Sequence, residues 1–190
     1  TGINSEDITE ENAEEFFKNV DGIIVPGGFG SRGLEGMMIA SKYARDKKIP
    51  YFGICLGMQI ALIEIARNAL GFRDAHTTEV DAGTPYPIID LMDSQKNLEN
   101  LGGTMRLGNY PCVTEEGTKA RQLYKEEKIL ERHRHRYEFN NKYKGEMRRA
   151  GVVFSGINED LDLVEIIELK DHPYYVACQF HPEFLSLIHI

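Results

Sequence analysis

Apolar residues fall along this chain in two rhythms. Gly22-Ile-Ile-Val25 is a continuous apolar run halted by Pro26-Gly-Gly-Phe-Gly-Ser-Arg-Gly33, the pattern of a strand buried on both faces and followed by a turn whose backbone needs glycine. From Leu34 onward, Met37, Met38, Ala40, Tyr43 and Ala44 recur at helical spacing up to Arg45-Asp-Lys-Lys48, with Pro50 beyond, so the spacing predicts a helix that stops there. Tyr51-Phe-Gly-Ile54 predicts a second strand, and Leu56 to Leu70 a second helix with Gly71 as its stop. Strand, turn, helix, strand and helix in that order point to an α/β fold with a parallel sheet.

Elsewhere the pattern is less regular. Ser5 to Val20 opens on acidic residues ahead of Phe16, Phe17 and Val20 and predicts a short helix. Phe72 to Val113 is broken by Gly83, Pro85, Pro87, Gly102, Gly103 and Gly108, which predicts loops and short strands covering one edge of the sheet. A short helix is expected near Asn141 to Ala150. Three β-rich runs then close the chain, Gly151–Phe154, Leu163–Leu169 and Tyr174–Phe180.

Composition narrows the class. The 190 residues carry 22 basic and 30 acidic side chains, a formal charge of −8, which argues against a nucleic-acid partner because phosphate neutralisation needs clustered Lys and Arg. No apolar run reaches the roughly 20 residues of a membrane span, so no membrane partner and a cytoplasmic location are expected. The three cysteines, Cys55, Cys112 and Cys178, are too few and too dispersed for a disulfide framework, and no Cys-x-x-Cys pair points to zinc.

The sharpest chemical feature is Gly53-Ile54-Cys55-Leu56-Gly57 between a strand and a helix. It is a Gly-x-nucleophile-x-Gly elbow that presents a thiol at the strand end, under the positive pole of the following helix, where thiolate is favoured. The competing reading, one more small buried hydrophobe, fits Cys112 and Cys178 better. His181-Pro182-Glu183 follows the last β run and offers an imidazole with a carboxylate to orient it, giving a Cys55-His181-Glu183 triad. His76, His172 and His189 are read as structural. Gly27, Gly28 and Gly30 at the first strand end, with the amide of Leu56, supply N–H donors for an oxyanion. Glu131-Arg-His-Arg-His-Arg-Tyr-Glu138 reads either as an anion-binding strand or loop that grips a carboxylate or as a solvated charged strand; on a strand His133 and His135 share one face, and Arg132, Arg134 and Arg136 would repel a cation.

Together, Pro26-Gly-Gly-Phe-Gly30, the run Gly53 to Gln59 and His181-Pro-Glu183 resemble the class I, triad-type glutamine amidotransferases. More narrowly, Leu101-Gly-Gly-Thr-Met-Arg-Leu-Gly108, Glu131 to Glu138 and Ala177-Cys-Gln-Phe-His-Pro-Glu-Phe184 are similar to the amidotransferase half of the CTP synthase family, with the likeness running from Val20 to Ser186. The resemblance implies a three-layer, flavodoxin-like α/β fold with a mostly parallel central sheet and a smaller β-rich flank. It also implies that Cys55 attacks the side-chain amide of L-glutamine, His181 passes the proton to the departing ammonia and Glu183 orients His181. By motif position, Gly28, Leu56, Gly57, Met58 and Gln59 would contact the glutamine and its oxyanion, while Glu79 and Arg136 would hold its amino and carboxylate groups. No metal or cofactor is implied in this domain. The family's synthetase domain, which nothing here resembles, uses Mg-ATP to convert UTP to CTP with the ammonia, with GTP as activator in a homo-oligomer.

The resemblance further implies a strand, helix and strand ahead of Thr1 and a Pro-containing segment with a final helix after Phe184, which Leu187 to Ile190 does not match. The expectation is therefore one amidotransferase domain over 1–190, incomplete at both ends, marginally stable and prone to association. Two other readings stand beside it: a free-standing γ-glutamyl hydrolase or Cys peptidase of the same fold, and an inactive interaction fragment.

Overall fold

The computed structural model describes residues 1–92 and 105–186; Leu101 to Thr104, Leu187 to Ile190 and hence His189 lie outside the described residues. A seven-stranded sheet is ordered β1-β2-β10-β9-β8-β5-β6, with β1 at Ile23–Val25, β2 at Tyr51–Ile54, β5 at Arg106–Thr114, β6 at Lys128–His135, β8 at Val152–Asn158, β9 at Leu163–Leu169 and β10 at Tyr175–Cys178. The pairings β1–β2 and β2–β10 are parallel, and every pairing from β10 to β6 is antiparallel. Parallel character is thus concentrated where helical crossovers connect the strands, and the β-rich flank extends the same sheet by direct antiparallel pairing, which needs no crossover. A separate three-stranded sheet joins β3 (Ala75–Thr77), β4 (Tyr86–Asp90) and β7 (Glu138–Phe139).

Helices α2 (Leu34–Lys47) and α3 (Leu56–Asn68) pack side by side on one face. Every residue of α3 from Leu56 to Ala66 is buried, because the helix is enclosed by α2, the main sheet and the smaller sheet. Arg45 of α2 makes a forked pair with the fully buried Glu64 of α3, which satisfies a charge that could not otherwise sit there. Tyr51 and Tyr175 stack at 4.4 Å across β2 and β10, and the Tyr51 hydroxyl donates to the Gly57 carbonyl at 2.8 Å, tying the start of α3 to the strand beneath it.

Strand alternation divides β10 between two cores. Tyr175 and Ala177 face the helices, whereas Val176 and Cys178 join Cys112, Ala120, Ile129, Ile166 and Phe180 on the opposite face. The short helix α4 (Lys119–Tyr124) covers part of that second face. Beside it an apolar groove of about 210 Å³ is lined by Phe52, Leu123, Tyr124, Val176 and Phe180 among others. The expected Ser5–Val20 helix is in fact a 3-10 turn at Ser5–Asp7 and a five-residue helix α1 at Ala13–Phe17. The helix expected near Asn141–Ala150 is a 3-10 turn continued by α5, Lys144–Arg149.

Candidate active site

The register of the parallel strands aligns three chain segments at one end of the sheet. Val25 pairs with Gly53 and Cys178 with Ile54, so the Gly27-Gly28 turn, Cys55 and the Gln179–His181 segment all emerge at the carboxyl ends of β1, β2 and β10, where open α/β sheets place ligands.

Cys55 is the N-cap of α3, with φ 51° and ψ −99°, a strained conformation for a non-glycine residue that projects its side chain out of the strand-to-helix turn. Its amide donates to Cys178 O at 2.7 Å. A side chain on Gly57 would stand 2.1 Å from the Val25 carbonyl oxygen, so only glycine lets α3 start this close to β1. The sequence argument for a thiolate meets a stronger effect here. Burial pushes the Cys55 thiol up to about 12, against the Leu56 amide and the Gln179 side chain, which favour the charged form, and with Glu138 and Glu183, which disfavour it. The resting sulfur is a thiol.

His181 is held by its own amide, which donates to Arg132 O at 2.8 Å, and by stacking on Phe184 at 4.8 Å. Its Nδ1 lies 2.7 Å from Glu183 Oε1, and its buried Nε2 has no hydrogen-bond partner among the described residues. A methyl group on Gly27 would sit 2.7 Å from His181 Cε1 and 3.6 Å from Cys55 Cβ, so the imidazole and the elbow cysteine meet above that glycine. Glu183 opens α6 (Glu183–Ser186).

A pocket of about 40 Å³ beside Cys55 is lined by Gly28, Gln59, Glu79 and Arg136, with Phe29, Met105, His135 and Tyr137. Of the residues expected at the site, Cys55, Gly28, Gln59, Glu79 and Arg136 thus share one cavity. The Met58 side chain is fully buried in the helix-side core and Gly57 packs on β1, so neither residue reaches that cavity through a side chain. Arg136 Nε is buried without a partner among the described residues, a donor on the pocket wall of the kind a carboxylate accepts from. Arg132 and Arg134 face outward from β6, while Glu131, His133 and His135 face inward.

Behind the pocket, Arg106 bridges Glu138 at 3.0 Å and Glu165 at 2.8 Å, with His133 Nδ1 2.9 Å from His135 Nε2. Burial raises both carboxyls above their ordinary range despite Arg106, and burial with Arg106 keeps both imidazoles neutral. Sequence reasoning missed this cluster and also Gln179, which is fully buried with its amide nitrogen 3.6 Å from Cys55 Sγ. The available signal was its place one residue past β10, beside the His181 turn.

The family model described as glutamine amidotransferase class-I matches residues 3–189. The chain belongs to the class I glutamine amidotransferases. Within that family it is 65% identical over 184 residues to a CTP synthase of Bacillus velezensis and 58% identical over 184 residues to one of Caldanaerobacter subterraneus, covering 97% of this chain and 34% of each relative. The chain therefore spans about a third of the length of these curated relatives and corresponds to their glutamine amidotransferase part. Among solved structures, the CTPS glutaminase domain of Trypanosoma brucei, determined with bound acivicin, superposes with a TM-score of 0.91 at 37% identity, covering 97% of this chain and 72% of that one. A glutamine amidotransferase of Thermotoga maritima shares the fold, with a TM-score of 0.56 at 14% identity over 87% of this chain and 57% of that one. No helix among the described residues is long and apolar enough to cross a membrane.

Proposed function

We propose that this amidotransferase is the glutaminase module of a CTP synthase and hydrolyses L-glutamine to glutamate and ammonia through a thioester on Cys55. The observation that carries the reading is the convergence of Cys55, Glu79 and Arg136 on one pocket, a pair of opposite charges that suits the amino and carboxylate groups of a zwitterion. The substrate amide would then lie over Cys55. His181 Nε2 takes the thiol proton as sulfur attacks the amide carbon, Glu183 holds the imidazolium through Nδ1, and the tetrahedral oxyanion is met by N–H groups of the Gly27-Gly28 turn and Leu56. His181 returns the proton to nitrogen, ammonia leaves, and water hydrolyses the γ-glutamyl thioester by the same steps. Because the free thiol is a weak acid here, attack and proton transfer to His181 are coupled.

In the same reading the ammonia serves a synthetase domain of a longer polypeptide, where Mg-ATP drives conversion of UTP to CTP, GTP acts as activator, and the full enzyme is a cytoplasmic homo-oligomer. The one-third coverage of the curated relatives supports this placement. The test is intact mass after incubation with a diazoketone analogue of glutamine, with and without excess L-glutamine. One adduct, mapped to Cys55 and suppressed by glutamine, is expected. An adduct that glutamine leaves untouched, or none on a folded chain, would remove the reading; cleavage of γ-glutamyl peptides in preference to glutamine would redirect it to a γ-glutamyl hydrolase.

A further inference from the structure

A chain of side-chain amides runs from the pocket wall to the nucleophile. Gln59 Nε2 donates to Tyr137 O at 3.1 Å and to Gln179 Oε1 at 3.2 Å, and Gln179 Nε2 donates to Cys55 Sγ at 3.6 Å. The sense of the chain is fixed at its far end. The Tyr137 carbonyl only accepts, so the NH2 group of Gln59 must face it; the second hydrogen of that group meets the carbonyl of Gln179, and the NH2 group of Gln179 is left for the sulfur. The backbone secures both ends: Gln179 N donates to Glu165 O at 2.8 Å and Cys55 N donates to Cys178 O at 2.7 Å. Gln179 is fully buried, so no water competes for its place.

We propose that Gln179 is a thiolate-stabilising residue of the glutaminase reaction, its amide donating to the Cys55 sulfur as charge develops there, with Gln59 and Tyr137 setting the direction of that amide. The proposal rests on the glutaminase reading and adds a residue outside the Cys55-His181-Glu183 triad. Its physical basis is the charge balance around the sulfur. The titratable neighbours are Cys178 on β10, Glu138 on β7, Glu183 on α6, His181 after β10, and the pocket residues His135, Glu79 and Arg136. Glu138 and Glu183 oppose a negative sulfur, and in the proposed reaction His181 takes up the thiol's proton only as that charge develops. Neutral N–H donors, the Leu56 amide and Gln179, therefore supply the standing stabilisation. A hydrogen bond to a charged acceptor strengthens as the charge forms, so this contact weighs more on the attacking state than on the resting thiol.

The test compares the wild-type chain with Gln179→Met and Gln179→Glu, following iodoacetamide alkylation of Cys55 by mass spectrometry from pH 7 to 10, together with glutamine turnover. Below the thiol pKa the rate rises tenfold per pH unit, so a pKa change reads as a sideways displacement of that line. Loss of the donor in Gln179→Met is expected to displace it to higher pH by about one unit and to lower kcat on the order of tenfold with little change in KM. Gln179→Glu, nearly the same shape, is expected to displace it further toward the alkaline end of the range, where the buried carboxyl is ionised and neither donates to nor tolerates a neighbouring thiolate. Gln59→Met, which frees the Gln179 amide to turn, is expected to produce part of the displacement.

A packing role alone would leave the alkylation line in place, and an unmoved line in a folded Gln179→Met or Gln179→Glu variant would overturn the proposal. The near-isosteric Glu variant serves where Met disturbs folding. Alkylation needs no glutamine, so a chain without glutaminase activity would defeat the functional reading while the thiol titration still judged Gln179.

Discussion

Gly27 and His181 are in such close apposition that a methyl group on the glycine would lie 2.7 Å from the imidazole Cε1. Gly27 is not among the residues with positive φ, so alanine is acceptable to its backbone and the penalty falls on the neighbour. Gly27→Ala should therefore leave the fold intact and push the imidazole away from the sulfur. Displacement of a proton-transfer group by about 1 Å costs about 100-fold in rate. The expected outcome is a fall in kcat of that order with an unchanged circular dichroism spectrum, measured with a coupled glutamate assay.

The 2.7 Å contact between His181 Nδ1 and Glu183 Oε1 fixes which imidazole nitrogen is left for the thiol. Glu183→Gln keeps the shape but can stabilise no imidazolium and can present its NH2 group to Nδ1, selecting the wrong tautomer. Because the Glu183 side chain is 43% exposed, solvent replaces part of its effect, and a loss of kcat of about 10- to 100-fold is expected. Activity equal to wild type at all pH values would show that Glu183 does not orient His181.

Arg106 is the single cation between Glu138 and Glu165 among the described contacts, at 3.0 and 2.8 Å with all three side chains buried. Arg106→Met fills a similar volume and strands two carboxyls, at an expected cost of about 3–5 kcal/mol in a urea melt. Above pH 8, where Glu138 is ionised, adding Glu138→Gln to that variant should recover part of the loss, since one buried charge is removed. Additive single effects in the double variant would mean that the pair is not coupled.

The same cluster shapes the pH dependence of stability. Folded Glu138 keeps its proton up to about pH 8, whereas an unfolded glutamate releases it near 4.5, so stability falls as pH rises through that interval. His133 and His135 stay neutral in the fold down to about 2 and 3 but bind protons near 6.5 when unfolded, so stability also falls as pH drops below 6.5. Urea midpoints between pH 4 and 9 should pass through a maximum on the acid side of neutrality, since Glu165 is raised in the same direction as Glu138, and Glu138→Gln should flatten the alkaline limb. A midpoint that keeps rising from pH 7 to 9 would contradict this assignment.

What could be read from the sequence was what local backbone geometry determines. The Gly53–Gly57 elbow needs only a strand, two glycines and a helix in succession, and Cys55 takes up that strained geometry. The acidity of Cys55 could not be read in the same way: helix position argues for thiolate, but burial by β10 and the pocket wall outweighs it, and burial is a tertiary quantity. In strand β6 it was the buried face that stayed obscure. Its inward positions include Glu131, His133 and His135, so its alternation is polar against polar and a hydrophobic pattern cannot show which side enters the core. The small sheet was hidden likewise, since β3 and β7 have three and two residues and persist only because β4 lies between them.

The order of strands in the main sheet bears on how this protein acquires its chemistry during synthesis. β10 is the last described strand in sequence, yet it lies between β2 and β9. The β1–β2 ladder and the β9–β6 ladder can each form earlier on the ribosome, but they join only when β10 is inserted between them, a pairing of long sequence separation and correspondingly slow closure. That insertion also delivers Gln179 and His181 to Cys55. A nascent chain therefore carries Cys55 without its amide and imidazole neighbours until β10 arrives, and completion of this sheet and assembly of the candidate site are one folding event.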